Sequence, residues 1–160
     1  GMAAAMVAGI ARYLDYIPQI IIVEPDSAAC VLESIKTGKI EKISIEKESI
    51  MGGMSCGEVS LVPWKVLRES VDSCCSISDD NVAKTVAMLK NKIFGDEKIT
   101  GGECSTPGII SLIASSKNSE IRKKLEFDKN SNILLMGCEG DADETLYNKL
   151  LSKGNVELSV

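Results

Sequence analysis

The chain has 160 residues, 44% of them hydrophobic and 26% charged, which suits one globular domain with a substantial core. A net charge of −5 and a pI near 4.9 argue against the clustered basic surface of a nucleic-acid binder. The complete lack of histidine excludes Cys/His zinc sites, Ser-His-Asp hydrolysis and Cys-His proteolysis together.

In chain order, "GMAAAMVAGIARYL" (1–14) predicts an apolar helix. Arg12 and Asp15 interrupt it short of the roughly 20 residues that span a membrane. With no basic leader ahead of the apolar run, a secretory signal is not expected and a cytoplasmic location is. Gly1 ahead of Met2 is compatible with a residue left by tag cleavage. "QIIIVE" (19–24) is a continuous apolar run typical of a strand buried on both faces, ended by Pro25. "DSAACVLESIKTG" predicts a helix with Asp26 or Ser27 as its cap and Gly38 as its stop. "KISIEK" (42–47) alternates like a more exposed strand, and "SIMGGMSCGEVSLVP" is glycine-rich and irregular. "PWKVLRESV" predicts a short helix, "DSCCSIS" a strand, and "DDNVAKTVAMLKNKIF" an amphipathic helix capped by Ser78 or Asp79. "STPGIISLIASS" begins another helix with Pro107 in its first turn. "IRKKLE" reads as a solvated helix face, "NILLMG" (132–137) as a second buried strand, "CEGDAD" as a turn and "ADETLYNKLL" as the last helix. Helices alternating with short apolar strands predict an α/β fold: three layers, a mostly parallel sheet with helices on both faces, and a single domain over 1–160.

Ligands of such sheets bind beyond the carboxyl ends of the strands, which directs attention to four loops. The first is Glu24–Pro25. "MGGMSCGE" (51–58) lacks the GK[ST] ending of a phosphate loop, and is either an ordinary loop or a backbone that passes close to a flat ring. "GGECSTPG" (101–108) is either a helix capped by Ser105 or Thr106, or a ligand site formed by Glu103 and the helix dipole. In "GCEGDAD" (137–143), Cys138 can offer a weak hydrogen bond to a heterocycle while Asp141 or Asp143 caps the last helix. Calcium-loop spacing and its closing glutamate are missing there. The six cysteines (Cys30, Cys56, Cys74, Cys75, Cys104 and Cys138) form no CxxC pair and are expected to be reduced, mostly as small apolar residues.

Taken in order, "GMAAAMVAGIARYL", "IIVEPDSAACVLESIKTGKI", "GGMSCGEVSLVPWKVL", "SISDDNVAKTVAMLKNKIFGDEKITGGECSTPGIISLIA" and "ILLMGCEGDADETLY" resemble the diaminopropionate ammonia-lyases. These are pyridoxal 5′-phosphate (PLP) enzymes of the tryptophan synthase β-subunit fold, fold-type II. "VEPD" followed by a helix is shared across that fold, whereas "SCGE…PW" and "EGDAD" are more specific to the lyase. The resemblance covers nearly the whole chain and is to the C-terminal half. It implies α,β-elimination of 2,3-diaminopropionate to pyruvate and ammonia. It also implies an anchoring lysine and main acidic catalysts that lie in an N-terminal half, so that no catalytic residue is expected here and the isolated chain is expected to be inactive.

The cofactor-facing positions the resemblance implies are Gly1 and Met2 at the end of the phosphate loop, and Gly53 and Met54 beside the ring. To these it adds Glu103 as an acid near ring and substrate, and Gly137 and Cys138 by the pyridine nitrogen. A thiol at Cys138 replaces the usual hydroxyl and is the weaker hydrogen-bonding group. No metal is implied, nor any nucleic-acid or membrane partner. The expected partners are a small amino-acid substrate and either a homo-oligomer or a separate N-terminal half. Two other readings stand beside this one: a non-catalytic α/β interaction module, and a fragment of another fold-type II enzyme such as a threonine dehydratase.

Overall fold

The computed structural model describes residues 1–158, which form two compact units, Gly1–Ser78 and a second beginning at Asp79. The first unit is α/β. Helix α1 (Met2–Tyr13) forms on an alanine-rich run of high helix propensity and buries Ala4 and Val7, one turn apart on one face. That face and Ile10 join a core of Ile20, Cys30, Val59, Trp64 and Leu67. Trp64 and Leu67 are supplied with the same spacing by α3 (Leu61–Ser70), whose Pro63 sits in the first turn, where its missing N–H costs nothing.

Strands β1 (Ile21–Pro25) and β2 (Ser73–Ile77) pair in parallel, with Ile21 opposite Ser73 and Pro25 opposite Ile77. Asp72 secures the entry to this ladder, its carboxylate accepting the Ile20 N–H at 2.7 Å. Between the strands lies α2 (Cys30–Thr37), stopped by Gly38 at φ +74°, a conformation that favours glycine. The cap of α2 differs from the expectation. Asp26 and Ser27 fall in a separate 3-10 turn, Asp26–Ala28, and Glu24 at the end of β1 accepts from the Val31 and Leu32 amides at 3.0 and 2.8 Å. A strand-end carboxylate thus supplies what a local cap would have supplied.

"KISIEK" is not a strand. It makes one isolated antiparallel bridge, Lys42 to Glu58, supported by the Ile43 N–H on the Gly57 carbonyl at 2.9 Å. Its partner is the irregular glycine loop, which cannot extend a ladder, so the alternation serves only to turn Ile43 toward the core.

In the second unit, α4 (Val82–Lys90) buries Val82, Ala83, Val86, Ala87 and Leu89, while α7 (Glu144–Leu158) buries Tyr147, Leu150 and Gly154. These two helices pack at very close range. A Cβ on Gly154 would stand 2.0 Å from the Ala83 carbonyl oxygen and 2.8 Å from the Ala87 Cβ, so glycine is required by the approach itself. Asn91 and Asn155 seal the pair with a 2.7 Å side-chain hydrogen bond. Helix α5 (Pro107–Ser116) starts with proline at its first position, as expected, and Asp143 caps α7 through the Leu146 N–H at 2.9 Å. The "IRKKLE" stretch contributes to a short exposed helix, α6 (Ser119–Lys124), capped by Asn118.

"NILLMG" does not form the expected buried strand. Ile133, Leu134, Leu135 and Met136 are 45, 73, 38 and 46% exposed. The described residues of this unit hold no other strand with which the run could pair, so its apolar character alone does not bury it. None of the described helices is long and apolar enough to cross a membrane.

Candidate functional site

In the first unit, Gly1 is the N-cap of α1, and neither a side-chain cap nor an acidic residue occupies that helix's first turn. Met2 is 56% exposed. The amides at this end carry the positive end of the helix dipole without a side-chain acceptor of their own. Gly53 and Met54 lie in a 3-10 turn, Gly52–Met54, set on the fully buried Met51. Turn hydrogen bonds from Met54 N–H to Met51 and from Ser55 N–H to Gly52 hold it, at 2.9 and 3.1 Å. The backbone at Gly53 is exposed while the Met54 side chain is half-buried.

The strand-end residue Glu24 is only 7% exposed. Burial pushes its carboxyl above the usual carboxylate range, and the Val31 and Leu32 amides act in the opposite direction. Cys30 and Cys74 are both pushed up to about 11, by burial first and by the Glu24 charge second. These two thiols are therefore protonated and unreactive at neutral pH.

The second unit brings three predicted residues, Glu103, Gly137 and Cys138, onto a 3-10 turn and a neighbouring irregular segment. Glu103 opens a 3-10 turn, Glu103–Ser105, that leads through the buried Thr106 into α5. Rather than capping α5, the Thr106 hydroxyl donates to the Glu103 carbonyl at 2.8 Å. Ser105, the other expected cap, is taken by Glu139: its hydroxyl donates to the Glu139 carbonyl at 2.6 Å and accepts the Glu139 N–H at 3.1 Å. Gly102 N–H also donates to that carbonyl at 3.0 Å, and Cys104 N–H donates to the Glu139 carboxylate at 2.9 Å.

Glycine makes the contact possible. A Cβ on Gly102 would meet the Gly140 carbonyl oxygen at 2.2 Å, and one on Gly137 would stand 3.3 Å from the Ser105 side chain. Cys138 is exposed beside this junction.

Electrostatically the junction is acidic. Burial raises the Glu103 carboxyl, and the charges of Glu139 and Asp143 raise it further. One ligand atom each from Glu103, Cys104 and Glu139 lie within 4.8 Å of one another, a grouping able to contact a cation. Sequence reasoning missed Glu139, Ser105 and Gly102 as parts of one junction. The available signal was the pairing of two glycine-acid stretches, "GGEC" and "GCEG", each beside an apolar segment.

A family model described as pyridoxal-phosphate dependent enzyme matches residues 1–136. The chain is 32% identical over 158 residues to a diaminopropionate ammonia-lyase of Escherichia coli K12, covering 94% of this chain and 40% of that enzyme. It thus spans well under half the length of that curated relative. The crystal structure of diaminopropionate ammonia lyase from Escherichia coli in complex with D-serine superimposes with a TM-score of 0.82 at 29% identity, over 96% of this chain and 39% of that one. Maize serine racemase shares the fold, with a TM-score of 0.70 at 18% identity over 95% of this chain and 44% of that one.

Proposed function

This chain belongs to the pyridoxal-phosphate dependent enzyme family, and on that footing we propose that it is the C-terminal part of a diaminopropionate ammonia-lyase. The observation that carries the proposal is the 32% identity to the Escherichia coli lyase, which runs through nearly the whole chain. The reaction would be α,β-elimination of 2,3-diaminopropionate to pyruvate and ammonia, with PLP as cofactor. In this reading both units are parts of one large, incomplete cofactor-binding domain in a cytoplasmic enzyme. The N-terminal half of such an enzyme would supply the anchoring lysine, so these 160 residues alone would be inactive.

Taken one unit at a time, the chemistry of several residues supports a share in binding such a cofactor. The first turn of α1, which holds no acidic residue, would suit a phosphate, since helix N-termini offer amides to anions. In the first unit, the exposed glycine backbone at Gly53, beside Met54, would allow a flat ring close approach. Cys138 would face the pyridine nitrogen with a thiol, a weaker partner than a hydroxyl. Glu103, its carboxyl raised by burial and by Glu139 and Asp143, holds a proton more readily than an exposed glutamate and would stand near the substrate. Bound there, PLP would supply the electron sink, and this chain would supply position and electrostatics.

The test is complementation. The chain is co-expressed with the lysine-bearing N-terminal portion of the Escherichia coli relative, and pyruvate is followed with 2,3-diaminopropionate as substrate. Pyruvate from the pair but not from either part supports the reading. A pair that assembles and consumes threonine instead would favour the dehydratase alternative, and an assembled pair inert toward both would favour the non-catalytic module.

A further inference from the structure

Glu139 is bound to the facing turn at three of its own groups. Its N–H is accepted by Ser105 Oγ, its carbonyl accepts from both Gly102 N–H and the Ser105 hydroxyl, and its carboxylate accepts from Cys104 N–H. A junction held by its backbone alone would need no acid at this position. Here the side chain closes the arrangement, and a hydrogen bond to a charged acceptor is stronger than a neutral one. Gly102 and Gly137 remove the side chains that would hold the two segments apart. The residue immediately before the clamped one is Cys138, so its place depends directly on the clasp.

We propose that Glu139 is a positioning residue, which locks the segment 137–140 onto the turn at 102–105 and thereby fixes where the Cys138 thiol stands. Its relevance to catalysis rests on the reading that Cys138 faces the cofactor, whereas the clasp itself does not. Neither Glu139 nor Ser105 touches the cofactor in this account. Both act through the residues they hold.

The experiment uses the 160-residue chain without cofactor, as Glu139→Ala and Glu139→Gln. Amide hydrogen exchange is read at Gly102 and Cys104, and iodoacetamide alkylation at Cys138, with exposed Cys56 as the internal reference. Glu139→Ala is expected to speed exchange at Cys104 about tenfold, in line with the loss of one charge-assisted hydrogen bond. It should also change the Cys138 alkylation rate relative to Cys56. Glu139→Gln keeps an acceptor oxygen and is expected to restore most of both readouts. Amides in α4 and α7 should stay as in the parent chain, which separates a local clasp from general destabilisation.

Unchanged Gly102, Cys104 and Cys138 readouts in Glu139→Ala would overturn the proposal, as would a Gln variant indistinguishable from Ala. If Glu139→Ala does not fold, Ser105→Ala removes the hydroxyl contacts and must shift the same readouts; no shift would again overturn it. Because no readout involves PLP, failure of the clasp and failure of the cofactor reading remain separate results.

Discussion

Glu24 in the first unit and Glu139 in the second both accept backbone amides from a neighbouring element, yet their surroundings differ. Glu24 is almost fully buried at the end of β1, and its partners are the first amides of α2. Glu139 is half-exposed in an irregular segment, next to Glu103 and Cys104 and in an acidic setting. Removing Glu24 leaves donors without an acceptor inside a packed unit, where the cost falls on stability. Removing the Glu139 side chain leaves one part-buried amide, the Cys104 N–H, without its acceptor, while the backbone bonds of the junction remain, so the cost falls on local geometry. The same interaction therefore maintains the fold in one unit and shapes the candidate site in the other.

The comparison breaks if the second unit's stability also resides in its turns. We place it instead in the contact of α4 with α7. Gly154→Ala puts a methyl group 2.0 Å from the Ala83 carbonyl oxygen and is expected to be the most damaging change, costing about 3 kcal/mol as overpacking that neither backbone can relieve. Urea denaturation followed by circular dichroism measures it, and a loss under about 1 kcal/mol would show that the helices part easily.

Next in size is Glu24→Ala, which strips the acceptor from two amides and is expected to cost about 2 kcal/mol in the same assay.

The smallest effect sharpens the contrast through pH. Burial raises the Glu24 carboxyl in the folded state, so the folded chain holds that proton more tightly than the unfolded chain does. The stability this contributes is fully present below the ordinary carboxylate value and is lost as pH rises through the folded value. Relative to Glu24→Gln, the parent chain is therefore expected to lose stability as the pH is raised upward from 4.5. A difference that stays flat, or runs the other way, would mean that the amide bonds outweigh burial.

Much of this was legible in the sequence because it depends on local pattern. The apolar run before Pro25, the φ-positive stop at Gly38, proline at the start of α5 and the aspartate ahead of α7 each follow from one residue's own chemistry. What escaped depends on residues far apart in the chain. No rule of helix capping points seven and eight residues back to a strand-end Glu24, or pairs Ser105 with Glu139 across 34 positions. "NILLMG" shows the complementary limit: a strand needs a neighbour, and hydrophobicity does not say whether one is present. Glu103 and Cys138 were singled out by loop position, and Gly1, Met2, Gly53, Met54 and Gly137 only through resemblance; neither route pointed to the Gly102–Ser105 and Gly137–Gly140 junction that the structure builds.

Under the proposed function, these residues would contribute contacts to a cofactor whose anchoring lysine lies in another part of the enzyme. The most direct test is to titrate the purified chain with PLP, reduce with borohydride and measure intact mass, with peptide mapping of any adduct. The account predicts no stoichiometric adduct at any single lysine. One lysine trapped in a one-to-one ratio would contradict it, since this chain would then hold the cofactor covalently by itself.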